Sequence, residues 1–162
     1  MTYTAWVNVV DDVAFSSALA RYAERATVER TPLALITLSL DHLARIEGRH
    51  GKVASELLRQ LGDLTRDALE GPHAPIIARL GNARVGVLLD VDIDGARAAA
   101  DTVRRIVAKT PFDIEGSAVA MTTSVGVAMF VVKYGAAALV RASCAAMQDA
   151  AQHGGNRVAS GS

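Results

Sequence analysis

The chain has 162 residues, of which 51% are hydrophobic, and its 17 basic and 17 acidic side chains balance. This is the size of one domain with ample apolar residues for a core, and the zero net charge gives no general attraction to nucleic acid or to an anionic membrane. The single cysteine, Cys144, excludes an intramolecular disulfide and is typical of a reducing compartment.

The sequence shows no targeting or membrane signal. Residues 1–6 have neither the basic region nor the apolar core of a signal peptide. The longest apolar run, residues 125–132, contains a glycine and is far too short to span a bilayer. We therefore expect a cytoplasmic protein without membrane insertion, and the heavy use of alanine and arginine points to a bacterial source.

The first part of the chain predicts two amphipathic helices with a buried strand between them. Asp11 and Asp12 can cap a helix that starts near Val13, and residues 33–40 form an apolar run with strong β propensity. A second helix is predicted after Gly51. The apolar residues at helical spacing are Phe15, Leu19, Tyr22 and Ala26 in the first helix and Leu57, Leu61, Leu64 and Ala68 in the second.

A β-hairpin is predicted after a proline-containing loop at residues 72–75. Residues 76–80 and 84–90 are two short apolar runs, separated by a turn that contains Gly81 and Asn82. Both of these residue types tolerate the positive φ that a tight hairpin turn requires. Because a hairpin pairs its strands antiparallel, we expect a mixed sheet rather than a parallel one.

A third helix and a long strand are predicted next. Asp94 is expected to cap the helix, a short extended piece starts at Pro111, and residues 118–131 form the longest strand candidate. The residues of this helix that we expect to face the core are Ala99, Val103, Ile106 and Val107.

A last, alanine-rich helix opens at Gly135 and ends at the glycine pair of residues 154–155. Cys144 falls on this helix, where we expect it to be a small buried residue. Residues 156–158 then predict a short final strand. Helices and strands thus alternate around one sheet, which predicts an α/β (or α+β) domain with a mixed central sheet flanked by helices.

Short motifs along the chain resemble, in the same order, those of GGDEF domains, the diguanylate cyclases that make cyclic di-GMP from two GTP molecules. They are Phe15, residues 32–35, residues 79–81, residues 87–89, residues 123–128 and residues 155–158. Each motif alone is weak, but their order and spacing together are fairly specific. The resemblance implies one domain over residues 1–162, with residues 1–11 as an N-terminal extension, and the palm-like mixed sheet of the nucleotide cyclases.

The signature turn of that family is altered in this chain. Where the family carries Gly-Gly-Asp-Glu-Phe, the residues are Gly81, Asn82, Ala83, Arg84 and Val85. In the family the carboxylates of this turn hold a metal and face a triphosphate. The resemblance therefore implies that both carboxylates have been lost, and that Arg84 adds positive charge where a dication should bind.

The metal and phosphate positions that the resemblance assigns are altered as well. The first strand ends in Ser39 and Asp41, where the family has two aspartates and the first of them is a magnesium ligand. The two phosphate-binding lysines correspond to Ala44 and Ala151, and the next basic position corresponds to Gly155. The resemblance thus implies a vestigial pocket that has lost most of its charged groups.

The nucleotide-reading positions differ too. The guanine-reading Asn and Asp of the family correspond to Glu47 and Glu56. The inhibitory product site, an Arg and an Asp separated by two residues, falls on the Pro-His-Ala-Pro of residues 72–75. Because proline side chains neither donate nor accept hydrogen bonds, we expect no cyclic di-GMP at this site.

These changes remove the chemistry of a cyclase. Two-metal phosphoryl transfer needs several hard oxygen ligands, which a serine hydroxyl at Ser39 and a lone Asp41 do not supply. We therefore expect no catalytic residue, no metal and no cofactor, so that the chain is a degenerate diguanylate cyclase and not an enzyme. Arg84 has two interpretations: a solvated turn residue, or a direct contact to a phosphate without metal.

The acidic run of residues 90–95, with Asp101 twelfth in the run, mimics the calcium loop of an EF-hand. An EF-hand needs a helix before this loop, whereas a strand precedes the run, and the last ligand would be Asp instead of a bidentate Glu. We interpret the run as the end of a strand followed by a helix N-terminus, which favours acidic residues.

The function that we favour is a regulatory or protein-interaction module of bacterial cyclic di-GMP signalling. The resemblance implies a protein partner such as an EAL phosphodiesterase, a PilZ-type receptor, a sensor domain or a second copy of the chain, and no nucleic acid. The candidate contact residues are Arg84 and the aromatic residues Tyr3 and Trp6 of the N-terminal segment. Tyr3 and Trp6 could instead pack in the core or in the chain's own sheet.

Two alternatives remain open at this point. The vestigial pocket of Ser39, Asp41, Glu47 and Glu56 could bind GTP or a related nucleotide without turnover. Residual cyclase activity is the third possibility, and an assay with GTP separates it from the other two.

Overall fold

The computed structural model describes residues 9–10, 12–71, 75–81 and 83–161. Within these ranges the chain forms five helices and eight strands. In chain order they are β1 (Val9–Val10), α1 (Asp12–Glu29), β2 (Ala34–Leu40), α2 (Leu43–His50), α3 (Ala54–Ala68), β3 (Ile76–Leu80), β4 (Arg84–Leu89), α4 (Ile93–Lys109), β5 (Phe112–Ile114), β6 (Ser117–Val119), β7 (Thr123–Met129), α5 (Gly135–Gln152) and β8 (Arg157–Ser160). None of the described helices combines the length and the hydrophobicity that crossing a bilayer requires.

Six strands form one mixed sheet in the order β1-β3-β4-β2-β7-β8. β2 lies in the interior and pairs antiparallel with both β4 and β7, while β1 and β8 pair parallel with β3 and β7. β3 and β4 form the predicted antiparallel hairpin, so the mixed α/β architecture is confirmed. The register places Ser39 of β2 opposite both Arg84 of β4 and Ser124 of β7.

Helices cover both faces of the sheet, so the domain has three layers. On one face α3 and α4 pack over Ile36 and Leu38 of β2. On the other face Phe15 and Leu19 of α1 pack with Leu35 of β2. Successive side chains of β2 therefore enter different cores, as the two-residue period of a strand with two covered faces requires.

α5 crosses the sheet very close to β7, and Gly126 makes this approach possible. A Cβ atom at Gly126 would lie 2.2 Å from the carbonyl oxygen of Ser143 and 2.3 Å from the backbone nitrogen of Met147. The buried hydroxyls of Ser143 and Thr37 form a hydrogen bond of 2.6 Å. Since buried hydroxyls need partners, this pair fixes the position of α5 relative to β2.

Two predicted boundaries are wrong. The cap of α4 is Asp92 and not Asp94, because Asp92 keeps an extended backbone and its Oδ1 accepts a hydrogen bond of 2.8 Å from the nitrogen of Gly95. Asp94 lies in the first turn of the helix. The predicted strand of residues 118–131 is divided into β6 and β7, because β6 turns back to pair antiparallel with β5 in a separate two-stranded sheet.

The sequence pattern does not predict α2. This helix has eight residues, none of them fully buried. Its contact with the core includes the partly buried Leu43 and Ile46, and two apolar residues are too few for a helix prediction from periodicity. The helix follows His42, whose φ of 61° places the residue in the left-handed region. The chain therefore turns sharply where β2 ends and α2 begins.

Candidate functional site

A cleft of about 280 Å³ lies between the end of β2 and the C-terminal end of α5. Four predicted site positions line this cleft: Ser39, Asp41, Ala151 and Gly155. The fold therefore brings together residues from distant parts of the sequence, in the way that the family resemblance implies. Glu47 and Glu56 are not among its lining residues, and their side chains have other partners.

Asp41 is the acidic side chain of the cleft, and it is buried. Its Oδ1 accepts a hydrogen bond of 2.5 Å from the Ser124 hydroxyl. Its Oδ2 accepts hydrogen bonds of 2.5 Å from the Thr122 hydroxyl and 2.9 Å from the backbone nitrogen of Asn156. Both oxygens are thus engaged within the protein, and this charge-assisted network joins the end of β2 to β7 and to the turn before β8.

Gly155 lies in contact with this carboxylate. A Cβ atom at Gly155 would lie 2.7 Å from Oδ2 and 2.9 Å from Oδ1 of Asp41. The residue also has a φ of 70°, which side chains disfavour. The position that the resemblance assigns to a basic side chain is thus one where the structure accommodates only glycine.

Glu47 lies on α2 and caps the following helix. Its Oε2 accepts hydrogen bonds of 3.1 Å from the backbone nitrogen of Val53 and 3.2 Å from that of Ala54. Val53, at the cap position of α3, provides no side-chain hydrogen bond of its own. A carboxylate at this point satisfies N–H groups that have no partner within the helix and interacts favourably with the helix dipole.

Glu56 and Asp63 share Arg59 along α3. Arg59 donates hydrogen bonds to both oxygens of Glu56, at 2.9 and 2.6 Å, and another of 2.9 Å to Oδ2 of Asp63. The hydrogen bond with Arg59 lowers the pKa of Glu56, and the same bond raises the pKa of Arg59. Burial raises the pKa of Asp63, because the desolvation of its charge outweighs the attraction of Arg59.

Oδ1 of Asp63 is buried and has no hydrogen-bond partner among the described residues. A buried carboxylate oxygen without a hydrogen bond is costly to ionise, which agrees with the raised pKa of Asp63. Glu47 and Glu56 are therefore both engaged in the local structure of α3, one as a cap and the other in an ion pair.

Arg84 is half-buried at the start of β4. Its Nη1 lies 2.7 Å from Sγ of Cys144, which is half-buried on α5. The prediction of a solvated turn residue is therefore wrong for Arg84, and Cys144 is less buried than we expected. The reason is that α5 lies over β7 and the neighbouring β2, and the long side chain of Arg84, which is paired with Ser39 of β2, reaches Cys144 on that helix.

The family model for the diguanylate cyclase GGDEF domain matches residues 9–157 of the chain. The chain belongs to the GGDEF family. No curated protein sequence matches it.

Solved GGDEF structures have the same fold. The GGDEF domain of FimX from Pseudomonas aeruginosa is 24% identical over 93% of each chain, with a TM-score of 0.84. The GGDEF domain of YfiN (TpbB) from the same organism is 23% identical over 95% of this chain and 97% of that one, with a TM-score of 0.86. The diguanylate cyclase SiaD of P. aeruginosa, solved in complex with its activator SiaC, is 19% identical over 93% of this chain and 58% of that one, with a TM-score of 0.85.

The residues at the cleft of this GGDEF domain do not fit a magnesium ion. Both oxygens of Asp41 accept internal hydrogen bonds, and Ser39 offers one hydroxyl in place of a carboxylate. Arg84, opposite Ser39 in the sheet, adds a cation. In the described part of the chain, no group of three or more His, Cys, Asp or Glu side chains is placed to hold a metal ion. We therefore derive no metal-dependent step from these residues.

The signature turn of this GGDEF domain contacts the first helix. Gly81 has the expected positive φ, of 63°, and its backbone nitrogen donates a hydrogen bond of 3.1 Å to Oδ1 of Asp12. We expected Asp11 and Asp12 to cap α1. Asp11 lies outside the described residues, and the carboxylate of Asp12 accepts the hydrogen bond from the turn. Ala83 is exposed, and Asn82 lies outside the described residues.

Several predicted positions lie outside the described residues. These are Tyr3, Trp6 and residues 72–74, so the N-terminal contact surface and the altered inhibitory motif stay predictions. Part of the N-terminal extension joins the sheet, because Val9 pairs with Ile77 in β1 and β3.

Sequence reasoning missed the partners of two predicted site residues. These partners are Thr122, Ser124 and Asn156 for Asp41, and Cys144 for Arg84. One signal was present in the sequence. Thr122, Thr123 and Ser124 are three successive hydroxyl residues that lead into an apolar strand, and a buried hydroxyl needs a polar partner. The sequence alone did not identify Asp41 as that partner, because Asp41 and Ser124 are 83 positions apart.

Proposed function

We propose that this GGDEF domain is a non-enzymatic regulatory and protein-interaction module of cyclic di-GMP signalling. The observation that carries the proposal is the internal use of Asp41, whose two carboxylate oxygens accept three hydrogen bonds. A metal ion at this point would have to compete with the hydroxyls of Thr122 and Ser124, and would leave these groups without their acceptor.

The other site positions support the same proposal. Ser39, Ala83 and Arg84 replace three carboxylates of the family pattern, and Ala44 and Ala151 replace two lysines. Phosphoryl transfer depends almost entirely on positioning and on electrostatic stabilisation of the phosphates. A cleft without these charges lacks the groups that would neutralise a triphosphate.

A protein partner is the second part of the proposal. The family relative SiaD is solved with a protein activator, SiaC, which gives a precedent for protein partners on this fold. For this chain we propose an EAL, PilZ-type or sensor domain, or a second copy, in the bacterial cytoplasm. The binding surface is the subject of the next subsection.

The test of catalytic silence is an assay of the purified chain with GTP and either Mg²⁺ or Mn²⁺. Cyclic di-GMP is measured by chromatography, with a GGDEF domain of established cyclase activity as the positive control. We expect no product above a sample without protein. Product formed at a rate proportional to the protein concentration would overturn the proposal.

A nucleotide-binding regulator is the alternative, and the persistence of the cleft favours it. The cleft keeps a volume of about 280 Å³ although its predicted phosphate positions, Ala151 among them, lack positive charge. Calorimetric titration with GTP separates the two proposals. Binding that is abolished by Ser39→Trp, in a chain without cyclase activity, would favour the alternative.

A further inference from the structure

An apolar groove lies at the end of the sheet opposite the cleft. Ser39 and Ser124 pair at the cleft end of β2 and β7, whereas Ala34 and Met129 pair at the other end. There the groove, with a volume of about 260 Å³, runs between the exit of β7 and the first half of α5. Its lining includes the side chains of Met129, Val131, Tyr134, Ala138, Leu139 and Ala142.

The loop beside this groove exposes apolar side chains. Val131 is 46% exposed, Val132 58% and Tyr134 65%. In the part of the chain that the structure describes, these are three of the five large apolar side chains that are exposed. Single exposed apolar residues need no explanation, but three in one loop beside an apolar groove indicate a contact surface.

The groove is preformed by close backbone contacts. The nitrogen of Gly161 donates a hydrogen bond of 2.6 Å to the carbonyl oxygen of Val127. A Cβ atom at Gly161 would lie 2.8 Å from the carbonyl oxygen of Ala142 on α5. The wall at Gly161 is therefore fixed to the sheet and to α5, so that a ligand does not have to order it.

The segment that forms most of the groove carries only positive charges. Residues 125–148 contain Lys133 and Arg141 but no Asp or Glu, in a chain whose net charge is zero. Nζ of Lys133 lies 5.6 Å from the centre of the Tyr134 ring. Tyr134 stands at the cap position of α5 without a side-chain hydrogen bond, so the positive end of the helix dipole lies beside the groove.

We propose that this groove binds an acidic amphipathic helix of a partner protein. A helix that places leucine-sized side chains in an apolar groove, with carboxylates beside them, matches both the lining and the two cations. The small residues Ala138 and Ala142 on α5 leave room for a second helix to approach. This inference rests on the proposed function and names the surface and the partner chemistry for it.

Charge argues against two other occupants. In a symmetric dimer through this groove, the segment opposite Lys133 and Arg141 would again be residues 125–148, which offers them no Asp or Glu and adds two more cations to the interface. The N-terminal segment of the chain is apolar, but residues 1–10 contain no Asp or Glu to pair with these cations. A separate acidic helix satisfies the apolar and the electrostatic requirement together.

The test uses two fluorescein-labelled peptides of about 18 residues, long enough to form a helix. Both carry leucine at helical spacing on one face, and the flanking positions hold glutamate in one peptide and lysine in the other. Fluorescence anisotropy with the full chain measures the Kd. We expect the glutamate peptide to bind at least about tenfold more tightly, with an advantage that falls as salt is raised.

Three variants locate the site. Val131→Asp and Ala138→Arg are each expected to raise the Kd of the glutamate peptide by about tenfold or more. The first puts a negative charge in the groove, and the second fills it with a larger side chain. Val28→Asp is the matched control, because Val28 is 75% exposed on α1 and does not line the groove, and it should leave the Kd unchanged. Lys133→Glu should shift the preference toward the lysine peptide, a result that partial unfolding does not produce.

Several outcomes would overturn the inference. They are equal binding of the two peptides, equal weakening by Val28→Asp, a dimer in sedimentation that Val131→Asp dissociates, and tighter peptide binding after deletion of residues 1–8. The last two would assign the groove to a second copy or to the N-terminal segment. If the peptide-binding test fails, the result of the cyclase assay still decides the proposed function. Cyclic di-GMP production in that assay would reject the proposed function, whether or not the peptides bind.

Discussion

The carboxylate of Asp41 occupies the space that a side chain at Gly155 would need. A Cβ atom at Gly155 would lie between 2.7 and 2.9 Å from both oxygens and Cγ of Asp41. The contact joins the end of β2 to the turn between α5 and β8, two segments that are more than a hundred residues apart. The end of α5 is thereby held at the cleft, and its distance from β2 sets the width of that cleft.

Gly155→Ala tests this contact. The substitution combines an unfavourable positive φ with a clash against a buried carboxylate, so we expect the free energy of unfolding to fall by about 3 kcal/mol. Urea denaturation followed by circular dichroism measures the change.

Gly116→Ala is the matched control for backbone strain. Gly116 also has a positive φ, of 88°, but no atom lies within 4 Å of a Cβ atom built there. We expect a loss of about 1 kcal/mol from strain alone. Equal losses in the two variants would show that Asp41 yields to the added methyl group, and that the contact does not fix the cleft.

Replacing Asp41 itself tests its role as a structural acceptor. Asp41→Ala leaves the Asn156 nitrogen and the Thr122 and Ser124 hydroxyls without their acceptor, which should cost on the order of 2–4 kcal/mol of unfolding free energy. Asp41→Asn should cost less, because one oxygen is kept and the hydroxyls can reorient.

A double-mutant cycle with Ser124→Ala isolates one of these bonds. The double variant should lose less stability than the sum of the two single variants, because both remove the same hydrogen bond. Strict additivity would show that the Asp41–Ser124 contact contributes nothing to stability.

The sequence predicted the elements with strong patterns and missed those that depend on distant contacts. The stripe of Leu57 and Leu61 identified α3, and the Gly81 turn identified the hairpin. α2 was missed, since it is short, has no fully buried residue and follows a left-handed turn at His42 that the pattern does not reveal.

Contacts between distant residues were also missed at the candidate site. The family pattern located Ser39, Asp41, Ala151 and Gly155, and the fold brings all four to one cleft. It did not reveal what their side chains contact. The hydrogen bonds of Asp41 depend on the antiparallel register of β2 and β7, which no local pattern specifies.

Glu56 and Asp63, which share Arg59, should affect the pH dependence of folding stability in opposite directions. The pKa of Glu56 is lowered in the folded state, so its stabilisation is present above its ordinary value of 4.5 and is lost as the pH falls through the lowered pKa. The pKa of Asp63 is raised, so its ionisation opposes folding at neutral pH, and this penalty disappears below the ordinary value of 3.8.

Glu56→Gln and Asp63→Asn check these signs. Relative to the wild type, Asp63→Asn should be more favourable at neutral pH than below pH 3.8, and Glu56→Gln less favourable at neutral pH than below pH 4.5. Urea denaturation of each variant and of the wild type, at neutral pH and at a pH below 3.8, provides the comparison. The same pH trend in both variants would contradict the assignment, since each variant serves as the control for the other.

Glu47 provides a test of capping against nucleotide binding. Glu47→Ala removes the acceptor of the Val53 and Ala54 nitrogens and should lower the free energy of unfolding by about 1 kcal/mol. Glu47→Gln keeps an acceptor oxygen and should restore most of this loss. If Glu47→Ala instead leaves stability unchanged and weakens GTP binding in calorimetry, the side chain serves a ligand and not the helix.

Restoring the signature turn should not restore a cyclase. Ala83→Asp with Arg84→Glu returns the two carboxylates, but Ser39, Ala44 and Ala151 remain and Asp41 keeps its internal partners. We expect a cooperatively folded variant that forms no cyclic di-GMP from GTP with Mg²⁺ or Mn²⁺. Val85→Phe is left out because Val85 is fully buried, and the larger ring would cost about 1–3 kcal/mol by overpacking. Product from the turn variant alone would show that the remaining ligands lie elsewhere and that Asp41 can leave its hydrogen bonds for a metal.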